Sequence, residues 1–202
     1  MRRDINFFNP FEMKKILYFL LPLSLFLTLC KTKDPCENIV CQNGGACLNG
    51  SCSCPTGYEG PACEKEKTPK AMYLTGVKLL NFPVTKSNGA GWDVLPSSGP
   101  DLYFTVSNKT TSTLIRAYPG SYYADATAGI LPLTFPVATP IKMSDMSSQY
   151  EVDLWDADSV TDEFMGGIYF TPYVSGQKFP TKIALNCSGC NTSWELTVTY
   201  EY

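Results

Sequence analysis

Six cysteines fall between Cys36 and Cys63, in CENIVCQNGGACLNGSCSCPTGYEGPAC, and no other stretch restricts the fold so tightly. Thiols in such density cannot be buried around a core, because a unit far below ~40 residues hides too little apolar surface to offset its conformational entropy. Disulfides supply the missing stability, and they persist only in an oxidising compartment. A zinc cluster fits the same residues poorly: CSC sets two ligands one residue apart, and the chain has no histidine. Many pairings are open to six cysteines, and spacing alone selects none of them.

The gaps read C-x4-C-x5-C-x4-C-x-C-x8-C, and Gly44, Gly45, Gly57, Tyr58 and Gly60 stand at the turns between them. This pattern resembles an EGF-like module over residues 36–63. The resemblance implies the pairs Cys36–Cys47, Cys41–Cys52 and Cys54–Cys63. So small a stapled unit reads as a rigid spacer, with a dedicated receptor-binding role as the alternative. Calcium-binding members of that family carry acidic residues just before the first cysteine and an Asn or Asp in a longer loop between the third and fourth. Here Lys33-Asp34-Pro35 precedes Cys36 and the loop is only LNGS, so no calcium is expected in this module.

Upstream, Met13-Lys14-Lys15 opens a basic segment, and the apolar run Ile16–Leu29 is too short for a membrane span and is interrupted by Pro22. Residues 1–29 therefore read as a secretory signal with its start at Met13. Nine cysteines leave Cys30 unpaired once six pair in the module and two more, Cys187 and Cys190, pair later. A lone cysteine after an apolar run, with Leu27 three residues before it, resembles a bacterial lipobox, although Leu29 stands where Gly, Ala or Ser is usual. The resemblance implies lipidation of Cys30, residues 30–35 as a tether, and an exported, membrane-anchored lipoprotein at the cell surface or in the periplasm. The sequons at Asn108, Asn186 and Asn191 matter only in a eukaryotic secretory route, against which this signal argues.

The charged run Glu64–Lys70, EKEKTPK, lacks apolar anchors and reads as a linker. Beyond it, residues 71–202 alternate apolar and polar positions: Leu102, Phe104 and Val106; Tyr150, Val152 and Leu154; Trp194, Leu196, Val198 and Tyr200, the last set backed by Glu195, Thr197, Thr199 and Glu201. Turn signals at Ser87-Asn88-Gly89, Ser97, Tyr118-Pro119-Gly120 and Gly176 divide these runs. The pattern predicts a mostly β chain: the small disulfide-rich module followed by an antiparallel β-sandwich of about eight strands.

Within YEVDLWDADSVTDEFMGG, the strand from Tyr150 ends at Asp156, and Asp156, Asp158, Asp162 and Glu163 follow before Phe164 resumes a strand. A second loop, GAGWDVLPSSGPDLYF, carries Asp93 and ends with Asp101 at the foot of another strand. Flexible loops at one end of a sandwich can gather the six to eight oxygens Ca²⁺ requires from distant parts of a sequence. Seven Lys and Arg against twelve Asp and Glu give residues 71–202 a net charge of −5, a field that favours a cation over an acidic partner. The pair of loops resembles a C2 domain, the calcium-dependent phospholipid-binding sandwich of protein kinase C and synaptotagmins. Asp93 and Gly99-Pro100-Asp101-Leu102-Tyr103 match its first loop; Asp156, Asp158, Asp162, Glu163 and Phe164-Met165-Gly166 match its third. The resemblance implies Asp93, Asp101, Asp156, Asp158, Asp162 and Glu163 as ligands of calcium.

The chemistry that remains is thin. No G-x-S-x-G, phosphate-binding loop or dinucleotide fingerprint occurs, nucleic-acid binding has no basic footprint, and the commonest general base is missing with histidine. Cys187-Ser188-Gly189-Cys190 precedes no helix that would lower a thiol pKa, so it reads as a disulfide capping a hairpin. The expected function is non-catalytic binding or adhesion through calcium, to a protein, glycan or phospholipid ligand. Trp92, Trp155, Tyr122 and Tyr123 near the loops leave a carbohydrate-binding sandwich with structural calcium as the alternative, and a glycosidase-like enzyme needs carboxyls held further apart, at ~5–9 Å. Anchoring is tested at Cys30: the wild-type chain should incorporate labelled fatty acid and partition into detergent, and Cys30→Ser should do neither. Identical behaviour of the two would overturn the lipoprotein expectation.

Overall fold

The computed structural model describes residues 33–93, 98–116, 122–187 and 189–202. The signal segment, Cys30, Ser97 and the Tyr118-Pro119-Gly120 turn lie outside the described residues.

The N-terminal module is built on a hairpin of β1 (Ala46–Leu48) and β2 (Ser51–Ser53). Its two-residue turn, Asn49-Gly50, has φ of 50° and 85°, the left-handed pair that matches strand twist and that these residue types adopt at least cost. Disulfides join Cys36 to Cys47, Cys41 to Cys52 and Cys54 to Cys63 at Cα separations of 5.8, 5.7 and 5.2 Å, within the usual range for an unstrained bridge.

Residues 71–202 form two antiparallel sheets face to face. One runs β11 (Glu163–Phe170), β10 (Tyr150–Asp156), β6 (Leu102–Asn108), β7 (Thr113–Arg116). The other runs β12 (Lys182–Cys187), β13 (Thr192–Glu201), β5 (Ala71–Asn81), β8 (Leu133–Phe135), with β9 (Ile141–Met143) also beside β5. That makes nine strands where the alternation predicts about eight; residues 133–143 supply two short ones that share a single neighbour. The only helical turn among the described residues is Ala128–Ile130.

Period-two alternation places Leu102, Phe104 and Val106 of β6 and Val152 and Leu154 of β10 opposite Leu74 and Leu79 of β5 and Trp194, Leu196 and Val198 of β13, all buried. Phe135 bridges the layers, its ring 5.2 Å from Phe104 and 6.1 Å from Trp194. Each of these side chains contributes about 1.5–3 kcal/mol by leaving water. The Cys187–Cys190 disulfide closes the β12–β13 hairpin next to the Cys187–Thr192 pair.

Residues 64–70 are not a free linker. Lys65–Glu66 forms β4 against β3 (Tyr58–Glu59), Lys67 N–H donates to Gly57 O, and Lys70 N–H donates to Glu201 O. The Glu66 carboxylate accepts from Tyr173 O–H at 3.2 Å, Gly176 N–H at 2.8 Å and Lys178 N–H at 3.1 Å, tying the module to the 173–178 loop of the sandwich. Phe179 sits among four tyrosines, with ring centroids 5.6 Å from Tyr58, 5.9 Å from Tyr173, 5.7 Å from Tyr200 and 5.2 Å from Tyr202. Gly57, at φ 91°, permits this approach, since a Cβ there would fall 2.6 Å from the Phe179 ring. The charge run that looked unanchored is fixed by one carboxylate and one ring. Trypsin, offered Lys65, Lys67 and Lys70, should therefore leave the wild-type junction intact while cutting Glu66→Ala and Phe179→Ala there; rapid cutting of the wild type would restore the free linker.

Candidate metal site at the loop end of the sandwich

β10 and β6 pair in register, so Asp156 at the end of β10 lies opposite Leu102 at the start of β6. Parity turns Asp156 inward with Leu154 and Val152, and it is fully buried. Its Oδ1 accepts the Asp101 N–H at 2.6 Å, and Ala157 N–H returns a bond to Asp101 O at 2.8 Å, which locks the two loop entrances together. Its Oδ2 is buried and has no donor.

Asp93 reaches the same point from the loop after β5, and its Oδ2 is also buried without a donor. Asp158, two residues past β10, completes the group: one carboxylate oxygen from each of Asp93, Asp156 and Asp158 lies within 4.8 Å of the others. Burying an ionised carboxylate without a partner costs several kcal/mol, so two orphaned oxygens on members of one such cluster are a burden that a cation would relieve.

Asp101, Asp162 and Glu163 stand around the group rather than in it. The Asp101 carboxylate accepts Asp125 N–H at 2.9 Å. Asp162 accepts Tyr103 O–H at 2.6 Å and Asp158 N–H at 3.0 Å, so it shapes the loop that presents Asp158. Glu163 is paired with Lys86. Lys86 also lies 5.6 Å from the centroid of the Trp92 ring, and Trp92 is pinned by its Nε1–H to Pro83 O at 2.6 Å. Sequence reasoning passed over Lys86, a lone lysine before the Ser87-Asn88-Gly89 turn with nothing local to mark its partner. An open groove of about 480 Å³ lies between Lys86, Trp92 and Phe164 on one side and Cys190 and Asn191 on the other. Of the other aromatics considered for stacking, Trp155 donates to Thr105 Oγ1 and Tyr123 donates to Thr134 O, while Tyr122 is half exposed.

Burial, and then the neighbouring charges of Asp93, Asp158 and Asp101, push the Asp156 carboxyl up to about 6 against a downward pull from the Asp101 N–H. Asp158 is raised by burial and by Glu163 and Asp93. The Tyr103 hydroxyl is raised by burial and by its bond to Asp162.

No family model matches the chain, and no curated protein matches it. Solved structures do. A C2 domain is similar at 11% identity and a TM-score of 0.45, over 65% of this chain and 98% of that one. A C2 domain of plant extended synaptotagmin 1 is similar at 15% identity and a TM-score of 0.39, over 67% of this chain and 97% of that one. Human GIVD cytosolic phospholipase A2, in complex with a fluorophosphonate inhibitor and terbium chloride, is similar at 14% identity and a TM-score of 0.38, over 66% of this chain but only 18% of the phospholipase. The case for a metal site is carried by the carboxylates themselves.

The raised Asp156 carboxyl fixes a sign. A group protonated more readily in the folded state contributes stability below its unfolded value of 3.8, and that contribution is lost as pH rises through about 6. In chelator at neutral pH, Asp156→Asn should melt a few degrees above wild type, because the amide keeps an oxygen for Asp101 N–H and removes the buried charge. At pH 4 the two should melt alike. A variant less stable at neutral pH would show that the carboxylate is not strained by its neighbours.

Proposed function

We propose that this chain is an exported, lipid-anchored, non-catalytic binding protein whose sandwich takes up Ca²⁺ at Asp93, Asp156 and Asp158, and that the docked EGF-like module holds the sandwich clear of the membrane in a fixed orientation. The observation that carries the reading is the clustering of the Asp93, Asp156 and Asp158 carboxylates within 4.8 Å of one another, two of them with a buried oxygen that has no donor. Oxygen-only donors and the absence of histidine suit a hard cation rather than zinc or copper. Backbone carbonyls of the two loops and water would complete a coordination shell of the size calcium prefers.

Beside the site the loop tip carries Val160, 91% exposed, and Phe164 on the next strand is half exposed. A bound cation flanked by apolar side chains suits a surface that offers anionic groups above an apolar layer, which makes an anionic phospholipid surface the first ligand to try. One observation favours the glycan alternative, the groove walled by Trp92 and Phe164.

An ion that binds only the folded chain raises its stability by RT ln(1 + [L]/Kd). With a Kd of about 0.1 mM, as in extracellular calcium modules, about 10 mM calcium should add ~2.7 kcal/mol. Melting should rise by about 5–10 °C. Magnesium should do much less, because it demands a tighter octahedron. Asp93→Asn and Asp158→Asn should each remove most of the response, and Glu37→Gln, in the EGF-like module, should keep it. Identical melts in calcium, magnesium and chelator would overturn the metal site. Cosedimentation of the Cys30→Ser chain with phosphatidylserine vesicles, and a glycan array, each with and without chelator, then separate a lipid from a glycan ligand.

A further inference from the structure

Away from the loops, the outward face of β10 carries a second pair of carboxylates. Glu151 and Asp153 alternate with the core residues Tyr150, Val152 and Leu154, so parity turns them to the outer face of the sheet, yet they are only 6% and 8% exposed. Glu151 lies opposite Tyr169 and Asp153 opposite Gly167 on β11. The missing side chain at Gly167 is what admits them: a Cβ there would collide with Asp153 Oδ1 and lie 2.7 Å from Glu151 Oε1. Two acceptor oxygens thus crowd the same small space above one glycine.

Their surroundings supply one cation and one donor. Lys109, just after β6, reaches Glu151 Oε2 at 2.8 Å and lies over the Tyr169 ring at 5.8 Å. Thr105 of β6 donates to Asp153 Oδ2 at 3.3 Å while accepting the Trp155 Nε1–H at 3.1 Å. Asp153 Oδ1 is buried and has no donor. Glu151 pairs directly with Lys109, whereas Asp153 faces Glu151, Thr105 and the glycine and feels Lys109 only at longer range. Two carboxylates this close cannot both stay ionised at little cost, and a proton between them turns a repulsion into a hydrogen bond.

We propose that Glu151 and Asp153 share one proton on the outer face of the sheet, forming an acid lock that holds edge strand β11 against β10 and loosens when the proton leaves. Burial first, then the Glu151 charge, push the Asp153 carboxyl up to about 6, against the opposing pull of Lys109 and Thr105. The sign follows from linkage: the lock is fully made below the unfolded value of 3.8 and is lost as pH rises through about 6. β11 begins with Glu163 and Phe164 beside the acidic loops, so loosening it acts on a strand that frames the metal site without touching Asp93, Asp156 or Asp158. The lock does not depend on the cation reading.

The test uses the full chain with its disulfides intact, labelled at the aspartate carboxyl carbons, titrated by NMR in about 10 mM calcium so that any response of Asp156 is suppressed. An aspartate signal should titrate near pH 6, be missing in Asp153→Asn, persist in Asp156→Asn, and move to lower pH in Glu151→Gln, where the amide can donate to Asp153. Over the same range the folding equilibrium of the wild type should weaken by up to about a hundredfold, and that of Asp153→Asn should stay nearly flat. If Asp153→Asn does not fold, the wild-type and Glu151→Gln titrations decide alone. A spectrum in which every aspartate signal surviving Asp156→Asn titrates below about pH 5 would overturn the shared proton.

Discussion

The hydrogen bond from the Asp101 N–H to the Asp156 carboxylate is the contact on which the functional end of the sandwich depends. It joins the foot of β6 to the exit of β10, two strands that the core already holds in register, and so fixes where both acidic loops begin. Half of the Asp156 carboxylate is satisfied by this bond and half is left without a donor, buried beside Asp93. A backbone donor and a buried setting therefore leave one oxygen of this carboxylate without a partner. Asp162 and Glu163 add charge beside it but are paired with Tyr103 and Lys86.

β10 concentrates acidity on both of its faces, and the two faces resolve it differently. At the end of the strand the Asp156 carboxylate is buried beside Asp93 and Asp158, at the start of the loops. In the middle of the strand, Glu151 and Asp153 are closed in by Lys109, Tyr169 and the glycine floor. One strand thus carries two carboxylate clusters, one at its loop end and one enclosed on its outer face.

The small module and the sandwich are held by different physics that meet at residues 64–70. Three disulfides constrain the module, whereas the sandwich rests on the burial of Phe104, Phe135, Trp194 and their neighbours. Glu66 and Phe179 join the two, one by three charge-assisted hydrogen bonds and the other by ring contacts with four tyrosines.

The sequence alone determined the covalent framework and the class of fold. Cysteine spacing is local and dense enough to carry a module's signature, and the three pairs implied by the resemblance are those the structure contains. Alternation over Leu102–Asn108, Tyr150–Asp156 and Thr192–Glu201 named strands because side-chain direction in a strand has period two, whatever the partner strand is. Periodicity says nothing of the enclosure on the outer face of β10, where Glu151 and Asp153 are buried, because Gly167 and Lys109, which enclose them, lie outside that strand. It also left EKEKTPK as a linker, since nothing within seven consecutive polar and proline residues announces that Glu66 will meet backbone donors at Gly176 and Lys178. The six acidic candidates were legible as charge in two loops; that three converge while the other three are tied off by Asp125, Tyr103 and Lys86 was decided only in the tertiary structure. Composition records that charges exist, but the distance, burial and donors around each oxygen arise from strands brought together across tens of residues.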